Sequence, residues 1–244
     1  MAERAALVTG GSSGIGLAIS RALAEDGYAV TISARRPDKL EAAVRTLGDD
    51  GLEVAAAAAN VASEDEVKAL VAGHKERYGR LDVLVNNAGV GVGSAIDEVD
   101  TKKMDMQIDV NLRSYVLAMR EAMPMLREAG AEHGKALIVN TASIAGKGGQ
   151  GWLAVYSATK AGVIGLSQAI QMEVGGAGVQ VTALCPAFVD TPMTEWVQGQ
   201  VKPEEMIKPE DLAETVRLLL LTSPYCLIPE VVFARRGDPS AFAT

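Results

Sequence analysis

Thr9-Gly10-Gly11-Ser12-Ser13-Gly14-Ile15-Gly16 is the stretch of sequence that decides the fold. It stands between a short apolar run, residues 5–9, and a helical pattern over residues 15–25. A strand, a glycine-rich turn and a helix N-terminus in this order let the backbone approach a pyrophosphate. The N–H groups and the dipole of the helix then favour the negative charge. A glycine-rich turn is often only a turn, but its place between the first strand and the first helix favours a nucleotide site.

Apolar runs of strand length alternate with helical patterns along the rest of the chain. The predicted strands occupy residues 5–9, 28–33, 52–59, 81–85, 135–141, 179–184 and 228–234. A helix between successive strands is typical of a parallel sheet with helices on both faces. There is no internal repeat and no linker. The sequence therefore predicts an α/β fold, a Rossmann-type doubly wound parallel sheet of about seven strands, as a single domain over residues 1–244.

The segments between the strands carry further local predictions. Ser63 and Glu66 have the spacing of a capping box at the start of a helix that runs to Tyr78. A long helical region spans residues 101–129, and Pro124 is expected to kink or interrupt it. Residues 153–174 form a helix rich in Ala, Gly and Ser, which suits a subunit contact. Residues 237–244 are expected to be a loose tail.

Residues 190–208 have no regular pattern, and we interpret them as a substrate lid. They carry apolar side chains, which suggest an apolar substrate, although ordinary packing explains such residues equally well. These side chains are Met193, Trp196, Val197, Val201 and Met206.

Composition narrows the class of protein. The formal net charge of −8 argues against a nucleic-acid surface. No apolar run approaches the ~20 residues of a membrane span, and the N-terminus does not resemble a signal peptide. Two cysteines make no disulfide framework, and no Cys/His cluster has metal-ligand spacing. His74 and His133, in polar surroundings, are expected at the surface. We predict a cytoplasmic protein that binds neither metal, nucleic acid nor membrane.

The end of the second predicted strand bears on cofactor choice. Ala34, Arg35 and Arg36 stand where an acidic residue would bind a ribose 2′-hydroxyl, as in NAD sites. Arginine instead suits a 2′-phosphate. These residues favour NADP over NAD. The alternative is that both arginines are simply solvated at the start of the next helix.

Residues 143–160 concentrate the chemistry of the chain. Ser143, Tyr156 and Lys160 supply a hydroxyl, a phenol and an amine, and Tyr156 and Lys160 share one helix face because they are four residues apart. A cation one turn away favours the phenolate and suits Tyr156 for acid–base chemistry. Alone, a Tyr and a Lys at this spacing are more often neighbours on a solvated surface.

When these residues are taken together with the other motifs of the sequence, the chain resembles the short-chain dehydrogenase/reductase family over nearly its whole length. The matches are the Thr9–Gly16 motif, Asn86-Asn87-Ala88-Gly89, Asn111, the Ser143–Tyr156–Lys160 set and the segment from Pro186 to Thr191. The resemblance implies that Tyr156 is the general acid and base and that Ser143 holds the substrate oxygen. It further implies that Lys160 lowers the Tyr156 pKa and holds the nicotinamide ribose, and that Asn111 anchors a water beside Lys160.

The resemblance also implies a set of cofactor contacts. Besides Tyr156 and Lys160, these residues are Gly10, Ser12, Ser13, Gly14, Ile15, Gly16, Arg35, Arg36, Asn60, Val61, Asn87, Ala88, Gly89, Pro186, Val189 and Thr191. Some positions depart from the family pattern. Asn60 replaces the usual acid before Val61, Ser13 stands where many NADP-dependent members have a basic residue, and Ala187 replaces a glycine.

Three functions remain open from the sequence. The first is an NADP(H)-dependent oxidoreductase that interconverts a carbonyl and a secondary alcohol on a small or medium-sized apolar substrate. The second is a 3-oxoacyl-[acyl-carrier-protein] reductase, the best-populated group of relatives, although no Lys or Arg follows Lys160 until Lys202. The third is a nucleotide-binding regulator without turnover. The family resemblance and the small-residue helix predict a homodimer or homotetramer.

Overall fold

A computed structural model describes residues 3–237 and shows one seven-stranded sheet in which every strand is parallel to its neighbours. The strand order is β3-β2-β1-β4-β5-β6-β7. The strands are β1 (Ala5–Thr9), β2 (Ala29–Ala34), β3 (Val54–Ala58), β4 (Val83–Asn86), β5 (Ala136–Thr141), β6 (Val179–Pro186) and β7 (Glu230–Phe233). The predicted fold class is confirmed. Of the predicted tail, residues 238–244 lie outside the described residues.

Helices cover both faces of this sheet. They are α1 (Gly14–Glu25), α2 (Pro37–Asp49), α3 (Glu64–Tyr78), α4 (Thr101–Ile108), α5 (Ser114–His133), α6 (Ala154–Val174) and α7 (Pro209–Leu221). One apolar core joins α1, α2 and α7 to the sheet, and a second joins α3, α5 and α6 to its other face. Because both faces are covered, β1, β4, β5 and β6 are buried along their whole length, which suits their mostly apolar sequences.

The topology places a crevice between β1 and β4, where the strand order reverses direction. Thr9 closes the base of this crevice. Its Oγ1 accepts the backbone N–H groups of Asn87 at 3.0 Å and Ala88 at 3.2 Å, and donates to the Val85 carbonyl at 3.3 Å. The carboxyl ends of parallel strands beside such a reversal are where open α/β sheets bind ligands.

Two local predictions differ from the structure. Ser63 caps α3 by accepting the Glu66 N–H at 3.4 Å, but the Glu66 carboxylate accepts the N–H of Asn60 at 2.7 Å instead of that of Ser63. The capping box is therefore only half formed. Helix α5 runs without interruption through Pro124. The regular α-helical pattern changes earlier, in a π-helical turn over Asp109–Arg113.

His74 is buried, and its predicted surface position is wrong. Its side chain is 2% exposed, and its two ring nitrogens lie 2.8 Å from Thr31 Oγ1 and 3.1 Å from the Arg80 carbonyl oxygen. Burial lowers the pKa of His74 to about 4. The imidazole is consequently neutral at neutral pH.

Residues 190–208 have more structure than the sequence predicts. They contain 3₁₀ turns over Pro192–Val197 and Pro203–Glu205, and a bridge pairs Val189 with Ile207. Of the apolar residues predicted in the lid, Val197, Val201 and Met206 form a small core of their own against Phe188. Those three therefore serve packing.

No helix within residues 3–237 combines the length and hydropathy that a membrane span needs.

Candidate active site

A cavity of about 650 Å³ opens at the carboxyl ends of the strands. It brings together residues that are scattered along the sequence, and its volume is within the usual range for ligand sites. Of the predicted site residues, those that line it are Gly10, Ser12, Ser13, Gly14, Ile15, Arg35, Arg36, Asn60, Val61, Asn87, Ala88, Gly89, Ser143, Tyr156, Lys160, Pro186, Val189 and Thr191. Gly16 and Asn111 are not among the lining residues.

The β1–α1 turn forms a cradle whose backbone needs glycine. Gly10 has a φ of +66° and Gly14 a φ of +52°, a region that side chains with a Cβ rarely adopt. The N-cap residue of α1, Ser13, makes no side-chain cap hydrogen bond, and the first turn contains no acidic residue. No Asp or Glu is among the described residues that line the cavity. Helix N–H groups not satisfied by a cap, in a site without acidic groups, fit a pyrophosphate.

Gly16 supports this cradle from behind. A Cβ at this position would overlap the Gly10 carbonyl oxygen and lie 2.5 Å from the Asn87 amide nitrogen. Asn87 in turn donates to the carbonyl of Gly10 at 3.2 Å. The glycine thus allows close packing of α1 against the turn, and its cofactor contact stays a prediction.

Arg35 and Arg36 line the far end of the cavity, beside Ala34 and Asn60. Both side chains are exposed, and neither makes an ion pair or hydrogen bond with another described residue. Asn60 uses its side-chain oxygen to accept the Ala62 N–H at 3.3 Å. This end of the cavity is therefore cationic and suits a phosphate.

Ser143 and Tyr156 meet at the other end of the cavity. The last residues of β5 lead to Ser143, whose Oγ accepts the Ala145 N–H at 3.1 Å and lies 3.4 Å from the Pro186 carbonyl oxygen. Burial raises the pKa of Tyr156, and its hydrogen bond with Ser143 lowers that pKa in part. This direction differs from the lowered pKa that the sequence predicts, because burial outweighs the hydrogen bond.

Lys160 follows Tyr156 by one helical turn on α6 and is 3% exposed. Its Nζ donates to the Thr141 carbonyl at 2.6 Å and lies 5.7 Å from the ring centroids of both Tyr115 and Tyr156. Burial lowers the pKa of Lys160 to about 8. A buried amine with this pKa, one helical turn from Tyr156, suits the exchange of protons near neutral pH.

Asn111 lies in the π-helical turn and is fully buried. Its amide makes two hydrogen bonds of 2.8 Å with the backbone of Val90, one as donor and one as acceptor. It also donates to Thr159 Oγ1 at 3.2 Å. In the structure Asn111 therefore clamps the segment after Gly89, and π turns of this kind are frequent at functional sites.

Several lining residues were not among the predicted site residues. They include Val90, Gly91, Gly93, Gln150, Trp152, Phe188, Met193 and Trp196, which surround the end of the cavity that contains Ser143 and Tyr156. Met193 and Trp196 were predicted only as lid residues. Trp152 stands in the loop between Ser143 and Tyr156, and no sequence pattern distinguishes it.

Known proteins resemble this chain in both sequence and fold. The family model for short chain dehydrogenases matches residues 4–201. The chain belongs to this family. The putative ketoacyl reductase of the monensin polyketide synthase from Streptomyces virginiae is 41% identical over 196 residues, which cover 80% of this chain and 74% of that protein. The predicted resemblance is thereby confirmed.

Two solved structures of the short-chain dehydrogenase fold carry nicotinamide cofactors. A variant of the actinorhodin polyketide ketoreductase with NADPH has a TM-score of 0.86 and 34% identity, covering 94% of this chain and 95% of that one. A 3-ketoacyl-(acyl-carrier-protein) reductase from Brucella melitensis, complexed with NADH, has a TM-score of 0.86 and 29% identity, with coverage of 96% and 98%.

The family establishes the general activity of this short-chain dehydrogenase. It is an NAD(P)-dependent oxidoreductase that acts on CH–OH and carbonyl groups. The alternative of a nucleotide-binding regulator without turnover is set aside.

Proposed function

We propose that this enzyme is an NADP(H)-dependent reductase that interconverts an apolar ketone and a secondary alcohol, with Tyr156 as the general acid and base. One observation supports this most directly. A single cavity has Ser143, Tyr156 and Lys160 at one end and two exposed arginines at the other, with an uncapped helix N-terminus between them.

The catalytic residues divide the work as follows. Ser143 donates a hydrogen bond to the carbonyl oxygen, and Tyr156 transfers its phenolic proton to that oxygen as the carbonyl is reduced. Since burial raises the Tyr156 pKa, the protonated phenol predominates near neutral pH and serves reduction. Lys160 supplies a cation one turn away, which stabilises the phenolate that Tyr156 becomes after it has given up its proton.

The cofactor fits the cradle and the cationic end. Its pyrophosphate would lie on the N–H groups at the start of α1, and Arg35 would bind the 2′-phosphate of NADP. Lys160 would hold the nicotinamide ribose. When bound, the cofactor supplies the hydride that reduces the carbonyl carbon.

The reductase proposal is tested by NADPH oxidation with a panel of carbonyl compounds. The panel contains aliphatic ketones, a quinone, a ketosteroid and an acetoacetyl thioester, with Tyr156→Phe assayed beside the parent. We expect turnover of ketones that disappears in the variant. Absence of turnover in both directions, with NADPH still bound, would contradict the proposal.

The NADP preference rests on the end of β2. None of the described residues that line the cavity carries a carboxylate to bind a 2′-hydroxyl, and the guanidinium groups of Arg35 and Arg36 are exposed on the cavity. Since one structural neighbour carries NADPH and another NADH, the fold permits either cofactor. Tighter binding of NADH than of NADPH would refute the preference.

A carrier-protein substrate is the second candidate, and similarity to a 3-ketoacyl-(acyl-carrier-protein) reductase supports it. Two arginines near α3 give it less support. Arg113, in the π-helical turn, and Arg120, on α5, both pair with Glu64, at 3.3 Å and 2.8 Å, so Glu64 competes with an acidic carrier for their charges. A strong preference for the acetoacetyl thioester in the same panel would favour this candidate.

Assembly and location complete the proposal. The solvent-exposed side of α6 carries Ala154, Ala158, Ala161, Gly165 and Ala169, a surface that allows close helix packing in a homodimer or homotetramer. A concentration-independent monomer in sedimentation would disprove such assembly.

The thiols of Cys185 and Cys226 are unpaired, as expected in the reducing cytoplasm. We assign residues 190–208 as a lid because Met193 and Trp196 line the cavity.

A further inference from the structure

Both tryptophans of the chain lie beside the catalytic end of the cavity. Trp152 belongs to the loop before α6 and Trp196 to the segment after β6. Their ring centroids are 5.9 Å apart with an interplanar angle of 56°, and Phe188 meets Trp196 edge to face at 6.2 Å. These three rings form one continuous surface, the aromatic wall (Trp152, Phe188 and Trp196).

The backbone conformation of Trp152 is unusual. Its φ of +66° is the only positive value at a non-glycine among residues 3–237. For a bulky residue this conformation is strained, and such strain persists where the surroundings hold it in place. The Trp152 carbonyl accepts the Ser94 N–H at 2.9 Å, and a Cβ at Gly93 would overlap the indole ring. The 93–94 segment therefore holds the indole against Trp196 only because residue 93 is glycine.

The aromatic wall exposes much apolar surface. Trp152 is 57% exposed and Trp196 56%. Folding does not require two large apolar side chains to remain this exposed, and an apolar surface of this kind marks a binding site. Since both rings line the same cavity as Ser143 and Tyr156, the surface faces the substrate region.

Charge narrows the class of substrate. Among the described residues that line the cavity, the charged side chains are Arg35 and Arg36 at the far end and the buried Lys160. The two arginines lie at the opposite end from the aromatic wall, and the Lys160 amine is buried, so none of the three is available there to pair with an anionic group of a substrate. A neutral planar ring, by contrast, gains contact with the indole faces in addition to its apolar burial.

We propose that the aromatic wall determines specificity and selects ketones whose carbonyl is attached to, or fused with, an aromatic ring. The inference rests on the proposed reductase function and names its substrate class. Stacking on Trp152 and Trp196 holds the ring so that its carbonyl reaches Ser143 and Tyr156.

Two bicyclic ketones of similar size, 1-tetralone and 1-decalone, separate aromatic contact from apolar burial. Because their intrinsic reactivities differ, the quantity to compare between variants is the ratio of their kcat/KM values. Gly93→Ala displaces the indole without altering either tryptophan, and we expect it to lower the tetralone-to-decalone ratio about three- to tenfold. Gly149→Ala is the matched control, because nothing lies within 4 Å of the added methyl group, and it should keep the parent ratio.

A second pair of variants tests the ring itself. Trp196→Leu should lower the ratio by a similar factor, whereas Trp196→Phe keeps an aromatic face and should retain most of it. An unchanged ratio in both Gly93→Ala and Trp196→Leu would overturn the inference.

Binding distinguishes this inference from the reductase proposal. Because both tryptophans of the chain belong to the aromatic wall, tryptophan fluorescence reports on this wall. With NADP⁺ present, 1-tetralone should change this fluorescence saturably in the parent and in Gly149→Ala, with weaker affinity in Gly93→Ala. Such binding without turnover of any ketone would refute the reductase proposal alone. No saturable change, with ketones still reduced, would refute the aromatic wall alone.

Discussion

Two polar clusters lie at opposite ends of the same parallel sheet. Each includes a residue that lines a cavity, but the clusters differ in what their polar groups contact. At the carboxyl ends, Ser143, Tyr156 and Lys160 line the proposed active site. At the amino ends, Asp82 accepts the Ala5 N–H at 2.8 Å and pairs with Arg80 at 2.7 Å. His74 completes this second cluster through the Arg80 carbonyl.

Burial shifts pKa values in both clusters. It raises the pKa of Tyr156, lowers that of Lys160 to about 8 and lowers that of His74 to about 4. A perturbed pKa is therefore an insufficient sign of catalysis in this protein. The difference is that the hydrogen bonds of His74 and Asp82 are made within the protein, whereas Ser143 and Tyr156 present hydroxyls to a cavity. Three predictions test this contrast, in order of decreasing effect.

Tyr156→Phe should remove activity and leave stability nearly unchanged. Without the phenolic proton, we expect kcat for ketone reduction to fall about 10²- to 10⁴-fold. The ring and its packing remain, so the free energy of unfolding in urea should change by less than about 1 kcal/mol. If Tyr156→Phe lost turnover only because the protein unfolded, Tyr156 would have a structural role like that of His74 and Asp82.

Protonation of His74 should lower the free energy of unfolding, and replacing His74 should leave the enzyme's turnover unchanged. Because its pKa is lower in the folded state than the ordinary 6.5, the unfolded chain binds more protons between pH 6.5 and pH 4. The contribution of His74 to the free energy of unfolding is complete above that window and is lost as the pH falls through it. Between pH 7 and pH 5 the free energy of unfolding should fall by about 2 kcal/mol from this group.

The measurement is urea unfolding at both pH values. His74→Gln should show a smaller decrease than the parent, while His133→Gln, which leaves His74 in place, should keep the decrease. Equal decreases in the parent and in His74→Gln would contradict the assignment. Turnover per folded molecule at pH 7 should be the same in all three proteins.

The Arg35 side chain lines the cavity but is exposed to solvent. Replacing it should therefore have the smallest effect of the three changes. We expect Arg35→Ser to weaken NADPH binding about tenfold, the value of one charge-assisted hydrogen bond to phosphate, and to leave NADH binding nearly unchanged. Arg45→Ser removes the same charge from the outer side of α2 and is the matched control. Equal weakening of NADPH and NADH would argue against a 2′-phosphate contact.

The positions of buried polar residues were only partly predictable. Val67, Val71 and His74 have helical spacing, so the buried face of α3 was readable from the sequence and would have placed His74 correctly. The π turn at Asn111 has no comparable signal. It arises from packing and from the two hydrogen bonds that Asn111 makes with Val90, which is 21 residues away.

The sequence by itself determined the parallel α/β fold and the family, and it predicted the glycine cradle and the Ser143–Tyr156–Lys160 set. These depend on local patterns, such as strand–turn–helix order and the spacing of residues on one helix face. Only the tertiary structure decided which residues reach the cavity. It left Gly16 and Asn111 out of the cavity lining, and it brought Trp152 together with Trp196, 44 residues further along the chain. Contacts between distant segments depend on the packing of the whole chain, and local sequence patterns do not encode them.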